Sequence, residues 1–92
     1  MPYVRWESRD HVESGLPPRD EGELNFAISR LIGRYASTAG RSYATFNEVV
    51  GVLECAKLEF YRRVIGWYED EKLIDNGDVY PLAIQDRVFD AD

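Results

Sequence analysis

Between residues 24 and 35 the apolar side chains recur at Leu24, Ala27, Ile28, Leu31, Ile32 and Tyr35. That spacing follows the 3.6-residue period of one helix face. Arg30 and Arg34 lie off the stripe. Asp20 stands where an N-cap is needed, and Glu21 and Glu23 sit in the first turn, where the helix dipole favours acids. "STAGRS" ends the segment, with Gly40 in the C′ position. The pattern predicts a helix over about 21–38.

A second helix is expected over about 46–65. Thr45 precedes Glu48 by three residues, the spacing of a capping box. Val49, Leu53, Ala56, Phe60 and Val64 form one stripe along it. Val50, Leu58, Tyr61 and Ile65 form a second apolar face on the other side. A helix that is apolar on two sides is buried on two sides, and the helix at 21–38 can cover only one. Association with further copies of the chain, as a homodimer or larger homo-oligomer, is therefore expected. Gly66 weakens the helix, and a short third helical segment is read over about 67–74. "DNGD", residues 75–78, reads as a turn.

The ends are less regular. Gly15 and the pair Pro17-Pro18 break any helix near the start. Residues 1–19 read as an extended N-terminal arm with at most one short helical turn at 8–14. Residues 81–92 read as a C-terminal extension, either a loose arm or a short strand. The expected fold is all-α: two main antiparallel helices, a short third one and extended termini, in a single domain over 1–92. A chain this short buries roughly 60–65% of its unfolded surface, so its own core is small.

Composition narrows the chemistry. The net charge of −6 argues against general nucleic-acid binding, which needs a basic surface. No apolar run approaches the roughly 18 residues of a membrane span, and "MPYVRWESRD" is too charged for a signal peptide. One cysteine, Cys55, permits no intramolecular disulfide, and with His11 as the one histidine a tetrahedral zinc site lacks ligands. A cytoplasmic protein without a cofactor is the resulting expectation. Cys55 reads as a small packing residue.

The segments "GELNFAISRL", "SYATFNEVVGVLECAKLEFYRRV", "YEDEK" and "NGDVY" resemble a family of small proteins of unknown function found in tailed phages, prophages and bacteria. The resemblance covers residues 22–35 and 42–80. Members end near "NGDVY", which makes 81–92 an extension. Where the family carries a proline before "YED", this chain has Trp67. The resemblance implies a phage or prophage source and carries no activity with it.

The densest chemistry lies in 59–80. Glu59 and Arg63 are four apart, so the arginine is either held ready for a phosphate or carboxylate ligand or merely paired along the helix. Trp67, Tyr68, Asn76, Asp78 and Tyr80 could wall a pocket that stacks a planar ring, or could close one end of a bundle. The candidate ligand- or partner-binding residues are Glu59, Tyr61, Arg62, Arg63, Tyr68, Asn76 and Asp78. The leading expectation is a phage-type accessory protein that binds a host protein or a small phosphorylated ligand and has no catalytic residue. The alternative is a Mg²⁺-dependent nucleotide pyrophosphohydrolase using Glu48, Glu54, Glu59, Glu69 and Asp78. Their spacings of six and five in the long helix do not share a face as that chemistry requires.

Overall fold

The computed structural model describes residues 1–85. Its elements are α1 (Trp6–Glu13), α2 (Glu21–Ala39), α3 (Tyr43–Phe60), a π-helical turn over Tyr61–Ile65, α4 (Gly66–Asn76) and the short α5 (Leu82–Gln85). The all-α expectation holds, with no strand among the described residues. The chain groups into two compact units, Met1–Leu53 and a second that begins at Glu54. Of the expected C-terminal extension, 82–85 form a helical turn rather than a strand. Residues 86–92 lie outside the described part.

In the first unit the N-terminal segment is a helix, not the extended arm expected of 1–19. The segment "WESRDHVE" has no apolar stripe, so periodicity does not reveal α1, and eight residues are too few to hold a helix alone. Packing on α2 supplies the missing stability. The guanidinium of Arg9 sits 5.4 Å from the centre of the Phe26 ring, and Glu13 pairs with Arg30 at 2.6 Å. Val4 comes so close to Gly22 that a Cβ there would meet Val4 Cγ1 at 3.1 Å. Beyond the helix, His11 Nε2 donates to the Pro17 carbonyl at 2.8 Å and folds the Pro-Pro segment back.

This arrangement inverts the expected face of α2. Phe26, outside the periodic stripe, is the buried apolar residue of the described chain, at 6% exposure. On a helical wheel it points away from the stripe. Leu24, Ile28, Leu31 and Tyr35, all in the stripe, remain 42–67% exposed. α1 therefore covers the back of α2, and the stripe stays open.

The start of α2 follows expectation. Asp20 Oδ1 accepts from the Glu23 amide at 2.8 Å, and at the far end the Gly40 amide donates to the Ala36 carbonyl. The start of α3 does not. Thr45 lies inside the helix and is buried, so it is not the N-cap. Ser42 takes that role: its Oγ accepts from the Thr45 amide at 3.1 Å, and its carbonyl accepts the first helical bond from Phe46. Ser42 is the first hydroxyl after the Gly40 break, so the helix starts there. Glu48 reaches sideways and accepts from the Tyr35 hydroxyl at 2.8 Å, linking α3 to α2.

Candidate functional site

The second unit continues α3 without the break expected at Gly66. Instead the Gly66 amide donates to the Tyr61 carbonyl, five residues back, which defines the π-turn. α4 then runs through Asn76, past the turn expected at 75–78, and ends at Gly77. Gly77 has φ 90° and ψ 154°, a region essentially reserved for glycine. Asp78 then turns the chain, its Oδ1 accepting from the Tyr80 amide at 2.8 Å.

These turns enclose a cleft of about 510 Å³, lined by Tyr61 at one end, by Glu69, Asp70, Lys72, Leu73 and Asn76 along α4, and by Gly77, Asp78, Val79 and Tyr80 beyond it. Tyr61 and Glu69 are eight apart, which an ideal α-helix would turn away from each other. The slower winding of the π-turn brings them together. The Tyr61 hydroxyl donates to the Glu69 carboxylate, and that bond, with the neighbouring negative charge, raises the phenol pKa. Three carboxylates face the cleft against one ammonium, that of Lys72, which lies 5.5 Å from the centre of the Tyr68 ring.

Of the residues expected to form the site, Tyr61, Asn76 and Asp78 meet in this cleft. Glu59, Arg62 and Arg63 do not line it. They form an exposed cluster, with Arg62 Nη2 at 2.8 Å and Arg63 Nη1 at 3.9 Å from the Glu59 carboxylate. Tyr68 carries Lys72 on its ring and is outside the lining. Glu69, Lys72 and Tyr80 complete the cleft and were not among the candidate binding residues. The eight-residue step from Tyr61 to Glu69 would have signalled the pair only to a reader who placed the π-turn.

The acids proposed for Mg²⁺ are dispersed. Glu48 accepts from Tyr35, Glu54 pairs with Lys57 at 3.0 Å and Glu59 pairs with Arg62. Among the described residues no three His, Cys, Asp or Glu side chains converge in a group able to hold a metal ion. No described helix is long and apolar enough to cross a membrane. Cys55 is an exposed free thiol rather than a packed one.

Fold and cleft define a small all-α chain, built as two helical units, that leaves most of its large apolar side chains exposed. It belongs to the family described as Domain of unknown function (DUF6899), which matches residues 1–79. The match takes in α1, which the motifs recognised in the sequence left out, and stops just before Tyr80. Neither the curated proteins nor the solved structures contain a match.

Proposed function

We propose that this chain is a phage-type accessory protein that works by binding, without catalysis, as a homo-oligomer in the cytoplasm. Its further partner is a host protein or a small phosphorylated ligand. The observation that supports association is the surface of α3. Val50, Val52, Leu53, Leu58 and Phe60 point to several sides of this helix and are each 41–66% exposed. A helix apolar all round belongs in an interior. Area bookkeeping agrees. A compact monomer of this mass exposes about 5,500 Å², whereas this chain exposes 8132 Å². The excess is of the size that an obligate interface removes from each partner, about 1,000–2,500 Å².

Light scattering coupled to size exclusion at micromolar concentration tests the reading. The expected mass is that of a dimer or larger assembly. Leu58→Glu should reduce it to one chain while circular dichroism still reports helix. A monomer mass for the unmodified protein overturns the proposal.

A further inference from the structure

Outside the acidic cleft, the first unit holds a second one of about 490 Å³ with the opposite charge. Pro2 and Tyr3 form one wall, and Arg9, Phe26, Arg30 and Arg34 form the rest, beside Ser29 and Gly33. Three arginines meet here in a chain whose net charge is −6. Only Glu13, through its pair with Arg30, offsets them. Like charges gather at this density where an anion is to be held, because their mutual repulsion otherwise opposes folding.

The three differ in how they are held. Arg9 and Arg30 lie over the Phe26 ring at 5.4 and 5.8 Å from its centre. Arg9 also donates from Nε to the Val4 carbonyl at 2.9 Å, which leaves its two Nη groups for another acceptor. These guanidiniums are fixed before any ligand arrives, so little side-chain entropy is lost on binding. Stacking on Phe26 accounts for their positions but not for Arg34. Among the described residues the Arg34 guanidinium has no acidic or aromatic partner, yet it faces the same cleft. A planar fork with free N–H groups suits a phosphate.

Phe26 is already covered by its two arginines and cannot stack on a ligand. Tyr3 can: it lines the cleft and is 76% exposed. The cleft volume falls in the range of small-molecule sites. We propose that this cleft binds a nucleotide-like ligand, with the phosphate on Arg9, Arg30 and Arg34 and the planar ring on Tyr3. The proposal assigns the phosphorylated ligand of the preceding section to the first unit. It does not depend on the chain associating with itself.

Titration calorimetry on the full chain, with inorganic phosphate and with adenosine monophosphate as probes, tests it. Both should bind saturably, the nucleotide more tightly. Arg34→Gln should weaken both by about tenfold or more, the effect of losing a charged hydrogen-bond donor. Tyr3→Ala should weaken the nucleotide by at least about fivefold, the loss of one stacking platform, and leave phosphate unchanged. Arg62→Gln with Arg63→Gln should change neither. Absence of saturable binding by either probe overturns the proposal. So does binding that survives Arg34→Gln, or binding that is lost with Arg62 and Arg63 instead. A nucleotide that binds no tighter than phosphate, indifferent to Tyr3→Ala, overturns the assignment of a planar ring. Because light scattering reads association separately, failure here and failure of the oligomer are distinguishable.

Discussion

Glu23 is the most enclosed side chain of the described chain, at 2% exposure. It accepts from the Arg19 amide at 2.9 Å and from the Arg19 guanidinium in a bidentate pair, at 3.1 and 2.7 Å. The Ser8 hydroxyl of α1 adds a further bond. The Arg19 bonds, led by the guanidinium, hold its pKa down to about 2, against an ordinary 4.5. A depressed carboxylate stabilises the fold above its unfolded pKa, and the contribution disappears as pH falls through the folded one. The midpoint of urea unfolding should therefore drop between pH 4.5 and about 2. Glu23→Gln should be less stable at neutral pH and flatter across that window. An equally steep drop in the variant would mean that other acids carry it. The pair Asp20 and Glu23 has the same three-residue spacing as Thr45 and Glu48. The sequence shows both. It does not show that Ser42, one turn earlier, starts α3, because choosing among hydroxyls requires knowing where the backbone leaves the Gly40 break. Ser42→Ala should cost about 1 kcal/mol in thermal or urea unfolding. Glu48→Ala, which removes no cap, should stay within about 0.5 kcal/mol.

Among the elements, α2, α3 and α4 are legible because each has a helical apolar period or clear end signals. α1 is not, since it depends on contacts with α2 that no local pattern announces. The face of α2 was misjudged for the same reason. An apolar stripe identifies what can be buried, and Phe26 shows that a single aromatic on the polar side is buried when another segment crosses it. The π-turn is the second hidden feature. A wheel drawn at about 100° per residue assumes uniform winding, so it places Tyr61 and Ile65 in line with Val50 and Leu58. The slower turn at 61–65 shifts them round, and Tyr61 joins the cleft of α4 instead. The same shift explains why the expected site came apart. Arg62 and Arg63 stay with Glu59 while Tyr61 moves to Glu69. At the end of α4 the backbone of Gly77 sets the floor of that cleft. Gly77→Ala should cost about 1–3 kcal/mol and should disturb the 77–80 turn more than α4, seen as faster amide exchange confined to the cleft.

At the scale of the whole molecule, the open stripe of α2 and the exposed surface of α3 belong to one problem: the chain presents more apolar area than it covers. One buried apolar side chain, Phe26, cannot supply a stability of several kcal/mol when each full burial contributes roughly 1.5–3 kcal/mol. The rest must come from association, and association obeys mass action. The melting temperature should therefore rise with protein concentration, because the folded state is an assembly and the unfolded state single chains. Raising the concentration a hundredfold stabilises a two-state dimer by about 2.7 kcal/mol, which is several degrees for a chain of this length. Leu31→Ser on the α2 stripe and Phe60→Ser on α3 expose no less area in a lone chain, since both side chains already face solvent. In a monomer these changes would be nearly neutral. In an assembly each removes buried apolar area, so each should lower the melting temperature at high concentration and weaken its dependence on concentration. Calorimetry of the three proteins over that range is the measurement. A melting temperature that is flat with concentration, and unmoved by either substitution, would mean that each chain folds alone with its apolar helices in water.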